Sequence, residues 1–293
     1  MMRILLIGTS GQVGHELQRT LAPLGEVRGF DFPELDLANE GAVAAVCREI
    51  RPALIVNAAA YTAVDKAESE PAIAMAVNGT APGVLAEETK RLGAVLVHYS
   101  TEYVFDGAKR SPYLESDTPG PLNEYGRSKL AGDLAIAASG CKHLIFRTTW
   151  VYGPRGRNFM LTMLSLAAGR EELRVVADQR GAPTSSLFLA EATARALRSI
   201  PEKGVASGIY NLSAAGETTW AQFARAIFER AAASRPGLRV PKVVPIATSE
   251  YPTPARRPSY SVLSHRKFER AFGFAPTTWE TQLDECFRQL PSP

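Results

Sequence analysis

Tyr125 and Lys129 form a pair suited to acid–base catalysis. They stand four residues apart in the segment YGRSK at 125–129, and on a helix this spacing places both side chains on one face. Reduction of a ketone requires a hydride on carbon and a proton on oxygen, and a phenol held at the carbonyl can act as the general acid. Because a nearby ammonium favours the phenolate form, we expect Lys129 to lower the pKa of Tyr125. The same spacing is common in surface pairs, so its weight depends on the residues around it.

Thr101 stands where a third catalytic group would be expected. It lies in the segment STEYVFDG at 100–107, directly after an apolar run typical of a strand. Ligands of open α/β sheets bind at the carboxyl ends of the strands. Thr101 is therefore expected to hydrogen-bond the substrate carbonyl beside Tyr125, and capping of the following turn is the alternative role.

A glycine-rich loop, GTSGQVG at 8–14, closes the first apolar run and opens the first helical stretch. Its glycines permit a tight turn and close approach of a pyrophosphate, and the helix N-terminus supplies N–H donors and partial positive charge. The alternative is that these glycines only permit an ordinary turn and bind no ligand. Because the loop, Thr101 and the Tyr–Lys pair follow one another at strand-to-helix junctions, we interpret it as a dinucleotide-binding loop. The residues expected at the cofactor are Gly8, Gly11, Gln12, Val13 and Gly14.

Two further strand ends could contact the same cofactor. Asp31 ends the second apolar run, about 20 residues past the glycine loop, where a carboxylate can bind the adenosine ribose. This favours NADH over NADPH, but an Asp at a strand end is as often a turn cap, so both cofactors stay open. The third run ends in small residues that leave room for a cofactor or serve close packing. The candidates are Ala59, Ala60, Tyr61 and Thr62.

The surrounding pattern alternates strands with helices. Short apolar runs occur at 4–8, 26–31, 53–59, 94–100 and 143–151, with helical patterns between them. Continuous apolar runs joined by helical crossovers are typical of parallel strands buried on both faces. We therefore predict an α/β fold with a doubly wound, Rossmann-like parallel sheet in residues 1–152. A smaller C-terminal substrate-binding lobe is predicted in 153–293, with part of that half returning to the sheet.

Helices are expected on both sides of this sheet and in the lobe. One covering helix is predicted over 71–92, stopped by Gly93. The later helices are expected at 158–166, 187–199, 220–233, 265–272 and 279–290.

Composition and charge argue against a nucleic-acid-binding, membrane-spanning or secreted protein. The 293 residues carry 33 basic and 30 acidic side chains, a formal net charge of +3, and no run of like charge that would suit nucleic acid. No apolar stretch reaches the roughly 20 residues of a membrane span, and the N-terminal one is too short for a signal peptide. Cys47, Cys141 and Cys286 lack the spacing of a zinc or redox motif. We expect buried thiols in a cytoplasmic protein.

Longer segments resemble the dTDP-4-dehydrorhamnose reductase family of the extended short-chain dehydrogenases. They are HYSTEYVFDG at 98–107, NEYGRSK at 123–129, RTTWVY at 147–152, DQRGAPT at 178–184 and YPTPARRP at 251–258. The similarity extends from residue 3 to past residue 260. It implies reduction of dTDP-4-dehydro-6-deoxy-L-mannose, a nucleotide-sugar, to dTDP-L-rhamnose by NADPH or NADH, the last step of dTDP-rhamnose biosynthesis.

The resemblance also implies which residues contact the substrate and the cofactor. Thr101, Glu102 and Trp150 would face the sugar, with core packing the alternative for Trp150. The family usually has Asp where Glu102 stands, a departure that bears on fine positioning and not on the reaction. The implied cofactor contacts are Gly11, Gln12, Val13, Asp31, Asp36, Leu37, Ala60, Tyr61, Thr62, Tyr99, Tyr125 and Lys129.

Arg257 would meet the substrate diphosphate, since a guanidinium suits phosphate oxygens, and a surface role is the alternative. Some family members form dimers through Mg²⁺, using glutamates at positions that resemble Glu16 and Glu191. The resemblance thus extends to a Mg²⁺-linked homodimer, whereas two separate helix glutamates are otherwise simply solvated.

Two other functions use the same kind of fold. A sugar-nucleotide epimerase or 4,6-dehydratase is one, but dehydratases follow the active-site Thr with two acidic residues, and here Glu102 is followed by Tyr103. A non-catalytic regulatory subunit of a methionine adenosyltransferase is the other. The intact set of Thr101, Tyr125 and Lys129 favours an enzyme.

Overall fold

The strands of the computed structural model build one large sheet and three two-stranded ones. The structure describes residues 2–167, 169–200, 204, 206–234 and 237–290. The strands are β1 (Arg3–Ile7), β2 (Glu26–Phe30), β3 (Leu54–Asn57), β4 (Val95–Thr101), β5 (Lys142–Thr148), β6 (Val151–Tyr152), β7 (Glu172–Val176), β8 (Arg180–Gly181), β9 (Thr184–Ser185), β10 (Gly208–Asn211), β11 (Thr218–Thr219) and β12 (Lys242–Ile246).

The large sheet is parallel throughout, with the order β10-β5-β4-β3-β1-β2. The order reverses between β1 and β3, and such a switch point opens a crevice at the carboxyl ends of the strands. The predicted doubly wound parallel sheet is confirmed. β10 comes from the second half of the chain, as expected.

The helices are α1 (Gln12–Leu21), α2 (Glu40–Ile50), α3 (Val64–Ala67), α4 (Pro71–Met75), α5 (Ala81–Leu92), α6 (Glu124–Ser139), α7 (Phe159–Ala167), α8 (Ser186–Arg198), α9 (Trp220–Ser234), α10 (Arg266–Phe272) and α11 (Trp279–Gln289). None of the described helices is long and apolar enough to cross a membrane.

Alternate residues of β1 bury opposite faces of the large sheet. Ile4 and Leu6 belong to a core shared with α1, α8 and α10, whereas Leu5 and Ile7 belong to a core shared with α2, α5 and α6. A third core joins α7, α9, α11 and β7. Helices on both faces explain why these strands are continuous apolar runs in the sequence.

Two predicted elements differ from the structure. The helix predicted over 71–92 contains a π-helical turn at Ala76–Thr80 between α4 and α5, although it ends at Gly93 as expected, in the left-handed conformation. The strand predicted over 143–151 ends at Thr148, and Trp150 has a φ of 47° before β6 begins. This break turns the chain out of the sheet toward the third core.

Candidate active site

A cavity of about 460 Å³ lies at the carboxyl ends of β1 to β5. It brings together most of the residues expected at a cofactor, and also Tyr125 and Lys129. Its lining includes Gly8, Gly11, Gln12, Val13, Asp31, Ala59, Ala60, Thr62, Tyr99, Tyr125 and Lys129. Four further lining residues were not predicted as cofactor contacts: Ser100, Thr148, Gly156 and Arg157. The crevice therefore lies where the fold and the motifs placed it.

The glycine loop is held close to its own helix. A Cβ on Gly14 would lie 1.8 Å from the carbonyl oxygen of Gly8, so only glycine lets α1 approach the loop this closely. Gly14 acts through this packing and does not line the cavity. The α1 N-terminus consequently opens directly onto the cavity, as binding of a dinucleotide pyrophosphate requires.

Three of the residues implied as cofactor contacts are engaged elsewhere. Leu37 is buried in the core beside α2, and the Asp36 carboxylate accepts a hydrogen bond of 2.9 Å from the Ala38 N–H. The Tyr61 hydroxyl donates to Glu70 at 2.6 Å. None of the three lines the cavity among the described residues.

Asp31 is tied to the glycine loop. Its carboxylate accepts hydrogen bonds from the Ser10 N–H at 2.5 Å and the Phe32 N–H at 2.8 Å. Burial alone would raise the pKa of Asp31, but the hydrogen bonds from Ser10 and Phe32 lower it below the usual value. A charged carboxylate is thus fixed at the edge of the cavity.

Helix α6 carries the Tyr–Lys pair, and its start is specified locally. The Asn123 side chain accepts a hydrogen bond of 2.8 Å from the Gly126 N–H, which makes it the N-cap and puts Tyr125 in the first turn. A Cβ on Gly126 would lie 2.3 Å from the Tyr103 carbonyl oxygen. Glycine here lets the first turn of α6 pack against the segment after β4. The Tyr103 and Tyr125 rings meet edge-on there, with centroids 5.4 Å apart.

The expectation that Lys129 lowers the pKa of Tyr125 is wrong. Burial and the charge of Glu102 raise the pKa of Tyr125, against a smaller opposite effect of the Thr101 hydroxyl. The Lys129 ammonium nitrogen is instead 2.6 Å from the Tyr99 carbonyl oxygen, to which it donates. Tyr125 is therefore protonated at neutral pH, as a proton donor must be, although burial makes it a weaker acid than a free phenol.

The pKa of Lys129 also differs from that of an ordinary lysine. It is 2% exposed, and burial lowers its pKa to about 8, although Asp133 one turn further along α6 acts in the opposite direction. Its ammonium is consequently much closer to giving up a proton at neutral pH than that of a surface lysine.

Thr101 and Glu102 lie at the end of β4, beside Tyr125. The Thr101 hydroxyl accepts from the Tyr103 N–H at 3.2 Å, so the expected capping role is present alongside any catalytic one. Glu102 is 3% exposed, and burial raises its pKa to about 7 despite the hydrogen bond from Thr101. Near-neutral titration of a carboxyl group in the site is a property that the sequence did not indicate.

Trp150 packs against an aromatic cluster in the lobe. Its ring stacks on Trp220, with centroids 3.6 Å apart and planes 10° apart. Trp220 borders a second cavity, of about 350 Å³, which sequence reasoning missed. The lining residues are Phe159, Thr162, Met163, Leu166, Leu173, Arg174, Val175, Val176, Gln179, Trp220, Tyr251, Thr253 and Arg257. They come from scattered segments, and only the folded chain brings them together.

Arg257 lines this second cavity and is held by a forked ion pair. Its Nη1 and Nη2 donate to the two carboxylate oxygens of Asp65 at 3.0 and 2.8 Å, and Nη1 also donates to the Thr253 hydroxyl at 2.5 Å. The guanidinium is thereby fixed at the cavity wall and is not a free surface group.

Glu16 and Glu191 do not form a metal site within the chain. Both face Arg19, whose Nη2 lies 3.9 Å from Glu16 and 3.4 Å from Glu191. Among the described residues there is no group of three or more His, Cys, Asp or Glu side chains that could hold a metal ion. A guanidinium between the two carboxylates does not suit Mg²⁺, and the homodimer stays a prediction.

Comparison with known proteins identifies the family. A family model described as the RmlD substrate binding domain matches residues 2–292. A dTDP-4-dehydrorhamnose reductase of Burkholderia thailandensis is 50% identical over 99% of this chain and 100% of its own length. The chain belongs to the dTDP-4-dehydrorhamnose reductase family. The family member of Escherichia coli is 47% identical over 99% of this chain and 98% of its own.

A solved structure extends the comparison to three dimensions. The dTDP-4-dehydrorhamnose reductase of Bacillus anthracis, in complex with NADP, is 36% identical and matches with a TM-score of 0.90. The match covers 98% of this chain and 99% of that one. The family assignment and the fold therefore apply to both halves of the chain, including the lobe.

Proposed function

We propose that this chain reduces the 4-keto group of dTDP-4-dehydrorhamnose to give dTDP-L-rhamnose, the last step of dTDP-rhamnose biosynthesis. The observation that carries the proposal is the convergence of Tyr125 and Lys129 on one cavity with the Thr101 hydroxyl beside them. Relatives that match almost the whole chain bear the name of this reductase. That name favours a reductase over an epimerase, a dehydratase or a regulatory subunit.

Each of the three residues has a role in the reaction. Reduced nicotinamide, when bound, supplies the hydride for C4 of the sugar. Tyr125 transfers its proton to the ketone oxygen, so the carbonyl becomes an alcohol and the phenol a phenolate. The Thr101 hydroxyl donates to Glu102 at 2.8 Å in the free site and would turn its proton to the same ketone oxygen, polarising the carbonyl. Lys129, held at the Tyr99 carbonyl in the cavity wall, would orient the cofactor ribose.

The cofactor in this proposal is a nicotinamide dinucleotide in the cavity at the strand ends. The close approach of the glycine loop to α1 fits its pyrophosphate. The fixed carboxylate of Asp31 would accept hydrogen bonds from an adenosine ribose and repel a 2′-phosphate. We therefore propose that NADH is preferred over NADPH, although the Bacillus anthracis relative is in complex with NADP.

The nucleotide part of the substrate is assigned to the lobe cavity. Phe159, Trp220 and Tyr251 offer aromatic surface for a base, and Arg174 and Arg257 offer cationic groups for a diphosphate. Residues 153–293 would thus supply the substrate lobe, as the sequence predicts, while α8 and β10 serve the large sheet. Trp150 would reach the sugar from its stack on Trp220.

The test is a spectrophotometric assay with the ketosugar, comparing the wild type with Tyr125→Phe. Loss of the general acid should lower kcat by about 10²- to 10⁴-fold, because the ring remains and only the proton donor is removed. The matched control is Tyr210→Phe, whose hydroxyl bonds the Ala206 carbonyl away from both cavities and should leave kcat unchanged. Equal cofactor oxidation by the wild type and Tyr125→Phe would rule the assignment out.

The same preparation separates the alternatives. An epimerase must recycle its hydride, so it would retain oxidised cofactor through purification, whereas a reductase exchanges cofactor at each turnover. A regulatory subunit would co-purify with a synthetase and show no ketosugar turnover.

A further inference from the structure

Three buried polar side chains form a chain of contacts that leads from the sheet to the wall of the cavity. They are Asn57 at the end of β3, His98 in β4 and Lys129 in α6, and each is at most 2% exposed. Asn57 and His98 are paired in the sheet register. Asn57 Nδ2 lies 3.2 Å from His98 Nδ1, and His98 Nε2 lies 3.3 Å from Lys129 Nζ. His98 therefore bridges the sheet and the lysine of the Tyr–Lys pair.

The orientation of the Asn57 amide decides which nitrogen of His98 accepts. The Ala59 N–H donates to Asn57 Oδ1 at 3.2 Å, so the carbonyl oxygen of the side chain is already directed toward the backbone. Turning the amide over would set its NH₂ against that N–H and leave a partly buried donor without an acceptor. The NH₂ group thus faces His98, and Nδ1 is the acceptor.

The proton of the imidazole then lies on the opposite nitrogen. Burial and the charge of Lys129 hold the pKa of His98 well below its usual value, so the ring is neutral and carries one N–H. With Nδ1 accepting from Asn57, that N–H is at Nε2 and is directed at Lys129 Nζ. Lys129 Nζ therefore has two different neighbours. The His98 Nε2–H is a donor directed at it, and the Tyr99 carbonyl oxygen is an acceptor.

We propose that His98 is a positioning residue, held by Asn57 as the Nε2–H tautomer, and that its N–H makes the Lys129 ammonium a stronger acid. An N–H directed at Nζ bonds well to the lone pair of an amine and poorly to an ammonium. This inference rests on the proposed function, since it concerns the lysine placed beside the cofactor.

The other charged groups around Lys129 do not reverse this effect. From α6, Asp133 favours the ammonium, but its carboxylate is paired with Arg147 of β5 at 3.0 Å. Also from α6, Tyr125 is neutral because its pKa is raised. From β4, Tyr99 contributes only its carbonyl oxygen. Burial disfavours the charge of Lys129, and the N–H that His98 directs at Nζ would add to this effect.

The consequence for the reaction concerns how Tyr125, the general acid, regains its proton after each turnover. Each reduction leaves Tyr125 as phenolate, and a more acidic Lys129 ammonium would return a proton to that oxygen more readily, through an intervening water. The amine formed in this step accepts the His98 N–H as a hydrogen bond until solvent returns a proton to Nζ. The three residues would thus increase the free-energy gain of proton transfer from the Lys129 ammonium to the Tyr125 phenolate.

The first experiment reads the tautomer in the wild-type protein without cofactor or substrate. With ¹⁵N-labelled histidine, two-bond ¹H–¹⁵N spectra distinguish a protonated Nε2 from a protonated Nδ1 for each of the four histidines, and His98→Gln assigns the resonance. A protonated Nε2 with a bare Nδ1 is expected at pH 7 and pH 9. A protonated Nδ1, or protons on both nitrogens, would overturn the inference.

The second experiment titrates Lys129 by its ¹³Cε shift in the free wild type and in His98→Gln. A glutamine can turn its carbonyl oxygen to Nζ, so the Lys129 pKa should rise by about one unit, a tenfold change in the ammonium-to-amine ratio. The control is His143→Gln, another buried histidine, whose Nδ1 contacts the Cys141 carbonyl. An unchanged or lower Lys129 pKa in His98→Gln would refute the role.

The pH dependence of kcat/KM tests the proposed function and the role of His98 together. The alkaline limb of kcat/KM should shift to higher pH in His98→Gln and not in His143→Gln, because this limb follows the free enzyme. If the ketosugar is not turned over at all, the proposed function fails while both spectroscopic readouts still decide the role of His98. If His98→Gln does not fold, the wild-type tautomer decides it.

Discussion

The Thr101 hydroxyl donates a hydrogen bond of 2.8 Å to Oε2 of Glu102, the residue that follows it in the chain. Both side chains are nearly inaccessible to solvent, and the contact lies beside the Tyr125 phenol. Burial raises the pKa of Glu102 to about 7, so a change of its charge falls within the physiological range. A carboxyl group that titrates near neutral pH is therefore hydrogen-bonded to the residue proposed to polarise the ketone.

Glu102→Gln should stabilise the protein above neutral pH. The folded state holds the Glu102 proton more tightly than the unfolded chain, in which the pKa returns to about 4.5. The stability from this proton is complete below pH 4.5 and is lost as the pH rises to about 7. Over that window the variant should gain on the wild type by on the order of 3 kcal/mol. Urea unfolding at pH 5 and pH 8 measures the difference.

The control for this prediction is Glu49→Gln, which removes an exposed carboxyl group on α2 and should show no such pH-dependent gain. A constant free-energy difference between Glu102→Gln and the wild type at both pH values would mean that Glu102 is charged throughout.

Asp31→Asn should change the preference between cofactors. The variant keeps the shape and one oxygen acceptor for the Ser10 N–H but removes the charge that would repel a 2′-phosphate. The ratio of kcat/KM with NADPH to that with NADH should rise by about tenfold, equivalent to about 1.4 kcal/mol. Glu34→Gln removes an exposed charge from the same turn and is expected to leave the ratio unaltered. If both variants change the ratio equally, general electrostatics and not Asp31 sets the preference.

The sequence predicted the sheet and the Tyr–Lys pair for physical reasons. Strands buried on both faces are apolar throughout, and the GxxGxxG and YxxxK spacings reflect close packing at Gly14 and a helix face at Tyr125 and Lys129. These signals are local in the chain, so a single sequence contains them.

Contacts between distant segments could not be predicted in the same way. The Asn57–His98 contact depends on the register of β3 and β4, and the Trp150–Trp220 stack depends on how the lobe folds back. The pKa of Tyr125 is also a property of burial and of Glu102, neither of which follows from YxxxK spacing. Long-range packing therefore sets the electrostatics of the site, while local sequence sets its position.

Arg257→Lys should weaken binding of the sugar nucleotide without much effect on the chemical step. A lysine cannot form the two parallel hydrogen bonds that fix the guanidinium on Asp65, so the cation would no longer be held at the lobe cavity. KM for the nucleotide-sugar should rise by about tenfold while kcat changes little. Arg256→Lys, the exposed neighbour, serves as the control. A fall in kcat at unchanged KM would place Arg257 outside substrate binding.

Arg147→Met should destabilise the protein more than removal of the whole ion pair. Arg147 and Asp133 are 2% and 0% exposed, with Nε 3.0 Å from the carboxylate, and the Arg147 guanidinium also lies over the Phe105 ring. The single variant leaves the Asp133 charge buried without its partner, which costs about 3–5 kcal/mol. The double variant Arg147→Met/Asp133→Leu should recover most of this loss, because two apolar side chains of similar size need no charge compensation. Urea unfolding of both single variants and the double variant measures the coupling, and additive losses would show that the two charges do not stabilise each other.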